Sequence, residues 1–351
     1  MKIEPYSEKR MLYCDDKCSL YYYRGKLIYK DVHSEQTTNI GGKYSRFSFV
    51  ERLMRKEPRC AARVDENHII VSFDGNIYAY CISDNSVIIE HRFNKGMNNP
   101  LEFLKVKDKQ TFESIIYYGE YIWNTERGPV SIYRRKTGKW EKVYTFPEKT
   151  ITHIHNIIWD KYRDGFIILT GDDDSESGIW FADCDLKSIH PILLGSQQYR
   201  ACVAFPDIRG FYYATDTPLE DNYLYYVELN QRLEVEDVKK IYNMPGPCIY
   251  GTMHESNIFM STSVEPDSSL NKWRYRFTYR LGRGVQDRFS HIIKITPEGK
   301  IEDICKFKKD ILPIWLFQFG NVLFPKNEGK IFYAVLQSIA KSHGKTIKID
   351  N

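Results

Sequence analysis

His155-Asn-Ile-Ile-Trp-Asp160, Lys161-Tyr-Arg-Asp-Gly165 and Phe166-Ile-Ile-Leu-Thr170 form one phrase: an apolar run, a five-residue turn ending in glycine, and a second apolar run. Arg200-Ala-Cys-Val-Ala-Phe205, Pro206-Asp-Ile-Arg-Gly210 and Phe211-Tyr-Tyr-Ala-Thr215 repeat it, and the step from His155 to Arg200 is 45 residues. Each period holds two further runs, Gly178-Ile-Trp-Phe-Ala182 and His190-Pro-Ile-Leu-Leu194 in the first, Tyr223-Leu-Tyr-Tyr-Val227 and Val238-Lys-Lys-Ile-Tyr242 in the second. Four short strands in such a period make one blade of a β-propeller.

Further groups extend the pattern. One runs through Cys60–Val64, His68–Phe73, Asn76–Tyr80 and Ser86–Glu90, and the next through Glu113–Tyr117, Glu120–Trp123, Val130–Tyr133 and Trp140–Tyr144. A fifth starts at Cys248-Ile-Tyr-Gly251 and resumes at His291 after a long insertion, residues 264–290. The last, Trp315–Phe319, Ile331–Val335 and Thr346–Ile349, has three strands, and Leu27-Ile-Tyr-Lys30 is the candidate for the missing fourth. Joining the two termini in one sheet removes open edges that would invite aggregation. The expectation is an all-β, six-bladed propeller, a single domain over 1–351 closed by N- and C-terminal strands. It becomes seven-bladed if residues 11–58 form a blade of their own; two β-sandwiches are the competing fold. Sustained helical periodicity is scarce, the best stretch being Phe47–Lys56.

Composition agrees. The 351 residues include 26 Tyr, 19 Phe and 6 Trp, which suit pleated, half-buried surfaces. A net charge of +4, from 50 Lys+Arg against 46 Asp+Glu, is too small to imply a polyanionic partner, so no nucleic acid is expected. No apolar h-region opens the chain and no run reaches membrane-spanning length, so the reading is a cytoplasmic protein without a membrane partner. Eight scattered cysteines, several within apolar runs, read as small buried hydrophobes; Cys14 and Cys18 are the only close pair, without a matching second pair for zinc. Nucleotide-binding, Rossmann, α/β-hydrolase and zincin motifs are all missing, and no cofactor is expected.

In a propeller, the loops entering the innermost strands and those between second and third strands converge on one face. Thr170-Gly-Asp-Asp-Asp-Ser-Glu-Ser-Gly178 puts four carboxylates near His153 and His155. A carboxylate and a histidine sharing a pocket serve as general acid and base, which makes His155, Asp172 and Glu176 the catalytic candidates. The plainer reading is a solvated loop whose Asp residues cap turns. His153 and His155 alternate on a strand and face one side, a geometry that suits a metal with a carboxylate, although hydrogen-bonded channel histidines are the plainer reading and no metal is assigned. An EF-hand order of calcium ligands is missing from the acidic loop. His153, Tyr199, Arg200, Tyr250 and Trp315 stand at inner-strand entries as substrate-binding candidates.

The insertion carries Lys272-Trp-Arg-Tyr-Arg-Phe-Thr-Tyr-Arg280. Read as a strand, it separates an aromatic face with Trp273 from a cationic face with Arg274 and Arg276, which join the substrate-binding set. Guanidinium groups bind carboxylates or phosphates bidentately. Carboxylates, arginines and stacking aromatics together suit an acidic oligosaccharide or polysaccharide. The alternative is a non-catalytic scaffold that binds a protein partner through 264–290.

The stretch from His155 to Trp180 resembles blades of sialidase-like (BNR-type) propellers, including bacterial ones associated with polysaccharide metabolism. The resemblance implies a carbohydrate ligand in the central channel, with glycoside hydrolase or polysaccharide lyase activity. The S-x-D-x-G-x-T-W box of sialidases has no full match, Ser72-Phe-Asp-Gly-Asn-Ile-Tyr78 keeping only its beginning. The sialidase arginine triad and tyrosine nucleophile find no residue-by-residue counterpart, so sialidase activity itself is not carried over.

Overall fold

The computed structural model describes residues 2–41 and 48–350. Seven sheets, antiparallel except where Lys326–Asn327 adds a short parallel strand beside Arg10–Cys14, follow one another around a central channel, so the propeller has seven blades rather than six. Blade 1 is built from Arg10–Cys14, Cys18–Tyr23, Lys26–Asp31 and Glu35–Asn39. Blades 2 to 6 begin at inner strands Ala61–Arg63, Leu104–Lys107, Ile154–Asp160, Ala201–Pro206 and Cys248–His254. Blade 7 runs from Asn321–Leu323 through Phe332–Gln337 and Lys345–Asp350 to Lys2–Ser7, its outermost strand. The closing strand is therefore Lys2–Ser7, and Leu27 to Lys30 belong to blade 1.

The miscount has a physical cause. An outermost strand needs little apolar character, and Lys2–Ser7 is polar and contains Pro5, whose missing N–H is tolerated at an edge where the register already slips. The inner strand of blade 3 is the short Leu104–Lys107, while Glu120–Trp123 forms no strand. Trp315–Phe319 likewise lies in turns, and Asn321–Leu323 takes the inner place in blade 7.

Burial between blades holds the ring. Seven apolar clusters fill the seven interfaces, the last joining Leu323, Tyr333 and Val335 of blade 7 to Met11, Tyr21 and Ile28 of blade 1. Polar bonds reinforce that junction: the Thr346 hydroxyl donates to the Lys9 carbonyl at 2.7 Å and accepts the Met11 N–H at 3.0 Å. Beside it, Glu57 is ion-paired with Arg10 at 3.2 Å and accepts from His343 at 3.1 Å and Gln318 at 2.9 Å. Burial opposes its charge, yet the Arg10 guanidinium and His343 hold its carboxyl well below the usual range. The repeated turns end in Gly165 and Gly210 because a Cβ at either would run into a carbonyl of the neighbouring strand, Ala182 or Val227.

Two short helices stand over the channel. Helix α1, Ser48–Met54, lies within the expected helical stretch, whose Phe47 falls outside the described residues. Its buried members are Glu51 and Arg52 rather than Phe49 and Leu53; Arg52 pairs with Asp310 at 2.6 Å and donates to the Phe317 carbonyl at 2.7 Å. The insertion's Lys272–Phe277 is helix α2, not a strand. Asn271 caps it by accepting the Arg274 N–H at 3.1 Å, and among the described residues no strand pairs with it. Alternating aromatics then land on opposite sides: Trp273 and Phe277 stack on each other in solvent while Tyr275 turns to the channel.

Removing residues 2–7 will leave Lys345–Asp350 as an open edge. The truncated protein is expected to melt at a lower temperature and to associate with rising concentration in light scattering. An unchanged melting temperature with monodisperse scattering would contradict this account of closure.

Candidate functional site

The loops entering the inner strands and the second-to-third-strand loops meet above the channel, as propeller geometry requires. Between them lies a cavity of about 1320 Å³ whose lining includes Arg55, Arg59, Tyr121, Asp172, Arg200, Tyr250, Tyr275 and Trp315. A narrower space of about 320 Å³, walled by inner strands, continues below and shares Arg59 and Tyr250 with it.

His153, His155, Asp172 and Arg200 come together. Asp172 Oδ1 is 3.0 Å from Arg200 Nη2 and 3.3 Å from His155 Nε2, and Oδ2 is 3.7 Å from His153 Nε2. Arg200 also donates to the Asp172 carbonyl at 3.1 Å, fixing the loop by both main chain and side chain. The recessed position opposes charge on Asp172, but Arg200 and the two imidazoles outweigh it and hold the carboxyl far below its ordinary range. Burial, with His155 alongside, lowers His153 to about 4, so it is neutral at pH 7.

Glu176 sits beneath this group, fully buried. It accepts the amide of Thr152 at 2.6 Å, the Thr152 hydroxyl at 2.9 Å, and the amides of Asp172 and Asp173 at 3.1 and 3.3 Å. Burial opposes its charge, but these donors together hold it ionised and below the usual carboxylate range. Glu176 thus shapes the loop that presents Asp172.

The converging loops read from the sequence already held Arg59, Asp216 and, within the 264–290 insertion, Glu265, without any of them being singled out as a site residue; Arg55 and Tyr121 were not marked. Asp216 and Glu265 leave the second strands of blades 5 and 6 just as Asp172 leaves that of blade 4, so three successive blades each send a carboxylate to the same face. Asp216 Oδ2 accepts from the Cys202 thiol at 3.2 Å and lies 3.9 Å from Arg200. Burial raises the Asp216 carboxyl; burial and the neighbouring Asp216 raise Glu265 to about 8. The shared loop class was the available signal. Arg59 and Tyr121 complete the wall: the Arg59 guanidinium lies 5.6 Å from the Tyr121 ring centre, and that ring meets His153 edge-on at 4.9 Å.

The remaining candidates divide. Tyr250 and Trp315 line the cavity, whereas Tyr199 packs into the core between blades 4 and 5. Arg276 stacks over Trp315 at 5.3 Å. Trp273 is 72% exposed, and Arg274 lies on the exposed side of α2.

Two outcomes follow from this electrostatics. Removing Arg200 strands Asp172 and Asp216, so Arg200→Ala is expected to cost about 3 kcal/mol in denaturant unfolding. Adding Asp216→Asn should then recover part of the loss; full additivity would argue against their coupling. Glu265 keeps its proton to about pH 8 when folded and loses it near 4.5 when unfolded, so between these values the folded state binds more protons and stability falls as pH rises. Glu265→Gln removes that loss, and the variant should gain on the parent from about pH 5 to about pH 8. A difference that stays constant with pH would mean that Glu265 ionises normally.

No family model and no curated protein matches this sequence. Solved structures do resemble it in fold. An oligogalacturonate lyase from Vibrio parahaemolyticus superposes with a TM-score of 0.54 at 11% identity, over 99% of this chain and 91% of that one. The extracellular domain of a putative one-component system from B. thetaiotaomicron gives 0.54 at 10% identity, over 99% of this chain and 39% of that one. The Dos1 propeller also gives 0.54, at 10% identity over 99% and 93%. Identities this low establish a shared propeller architecture, one that carries enzymes and non-enzymes alike, and nothing in them is specific to sialidases.

Proposed function

We propose that this propeller binds an acidic oligosaccharide in the cavity above its channel, with Arg55 and Arg59 receiving the acid group. The observation that carries the reading is the state of these two guanidinium groups. Among the described residues neither is ion-paired with a carboxylate. Arg55 donates to the Trp315 carbonyl at 2.5 Å and Arg59 to that of Asn99 at 3.2 Å, leaving donors open to the cavity. Each lies against an aromatic ring, Arg55 at 5.0 Å from Trp315 and Arg59 at 5.6 Å from Tyr121. Burial and the neighbouring Arg59 lower Arg55, an arrangement that an incoming anion relieves.

Two adjacent cations and a bidentate fork suit a carboxylate. Tyr121, Tyr250, Tyr275 and Trp315 line the cavity with the aromatic rings that sugars pack against, and the cavity exceeds the size of ordinary small-molecule sites. The oligogalacturonate lyase among the structural neighbours gives a carbohydrate ligand a precedent on this architecture. A cavity lined by both charged and aromatic side chains favours this reading over a scaffold that binds a protein through 264–290 alone. Cleavage of the bound sugar, by elimination or hydrolysis, is the further step; the acid raised by burial, Glu265, is the group suited to hold a proton for it.

The test is a panel of neutral, uronate, sialylated and phosphorylated oligosaccharides, followed by calorimetry and by product release. Acidic members are expected to bind, with Arg59→Ala weakening them at least about tenfold and leaving neutral sugars unaffected. Equal binding of neutral members, or none across the panel, would overturn the proposal.

A further inference from the structure

We infer that His153, His155 and Asp172 form a binding site for a first-row divalent transition metal at the wall of the cavity. Hydrogen bonding fixes the tautomers. His155 Nδ1 lies 2.8 Å from the Ala201 carbonyl, which can only accept, so Nδ1 carries the proton. The Thr152 hydroxyl spends its one proton on Glu176 at 2.9 Å and therefore accepts from His153 Nδ1 at 3.1 Å. Both Nε2 atoms thus face the same side, each ring oriented through its other nitrogen as metal-bound imidazoles are.

One of the two nitrogens has no hydrogen-bond partner among the described residues. His153 Nε2 is buried and makes no hydrogen bond, in a side chain only 9% exposed. His155 Nε2 lies 3.3 Å from Asp172 Oδ1. A cation between them turns both contacts into bonds. The ligand atoms of the three residues all lie within 4.8 Å of one another. The carboxylate reaches both rings, Oδ1 at 3.3 Å from His155 Nε2 and Oδ2 at 3.7 Å from His153 Nε2, close to the edge of about 3.4 Å that a tetrahedron with bonds near 2.1 Å requires of whichever oxygen binds.

Local charge agrees. Asp172 adds an anionic oxygen ligand to the two imidazole nitrogens, the kind of mixed set that a divalent cation takes. Two imidazoles with one carboxylate favour zinc, cobalt, manganese or iron over magnesium or calcium, which prefer all-oxygen shells. Three protein ligands leave a coordination position for a water or ligand oxygen, and Asp172 lines the cavity. This site stands on its own geometry and does not depend on the acidic-sugar reading.

The probe is the metal alone, without any sugar. Protein stripped with EDTA is titrated with Co²⁺ and Zn²⁺ by calorimetry and absorbance. One equivalent is expected to bind, with a rise in melting temperature. His153→Ala and Asp172→Asn should each weaken it at least about tenfold, and His68→Ala, at a half-buried histidine of blade 2, should not. No saturable binding, or binding unchanged in His153→Ala, overturns the site. Should the variants fail to fold, proton NMR of Co²⁺-loaded wild-type protein decides: two hyperfine-shifted, exchangeable imidazole N–H signals are expected from the two Nδ1–H groups, and none would refute the assignment.

Discussion

The pairing of Lys2–Ser7 with Lys345–Asp350 is the constraint on which the rest of the molecule depends. Each blade buries both faces against its neighbours, so an open arc would leave the outer faces of blades 1 and 7 in water. Closure unites them through the Leu323–Met11 cluster, the Thr346 hydroxyl and the Glu57 group with Arg10, His343 and Gln318. The same closure fixes the channel's width. It brings Trp315 from just before blade 7 to within cation–π distance of Arg55, which precedes blade 2.

On that frame, the channel face concentrates charge. Successive blades send Asp172, Asp216 and Glu265 inward from equivalent loops, and Arg200 is the cation set among them. Arg55 and Arg59 stand at another part of the wall with no carboxylate partner among the described residues. One rim is thus internally compensated and the other awaits an anion, an asymmetry that separates the proposed metal position from the proposed acid-group anchor. Tyr121 touches both, meeting Arg59 on one side and His153 on the other.

The blades were legible wherever both strand period and turn chemistry were strong. Blades 4 and 5 were read strand for strand, because Gly165 and Gly210 mark positions where a neighbouring carbonyl excludes a side chain. Legibility failed at polar or very short strands, Lys2–Ser7 and Leu104–Lys107, whose places are fixed by the sheets they complete rather than by their own composition. The insertion misled for a related reason: period-two aromatics specify a strand only if an edge is available to pair with, and α2 finds a cap at Asn271 instead.

Sequence by itself determined an all-β chain of repeated four-stranded units and placed His153, His155, Asp172 and Arg200 in converging loops, since period and loop class are local properties. Only the tertiary structure decided that there are seven blades, that Glu176 is consumed in shaping its loop, and that Arg55, Arg59, Asp216 and Glu265 join the site. Those facts depend on how far each blade turns relative to the last and on which charges then meet across the channel. Such distances, set by packing around a closed ring, are written in no single stretch of the chain.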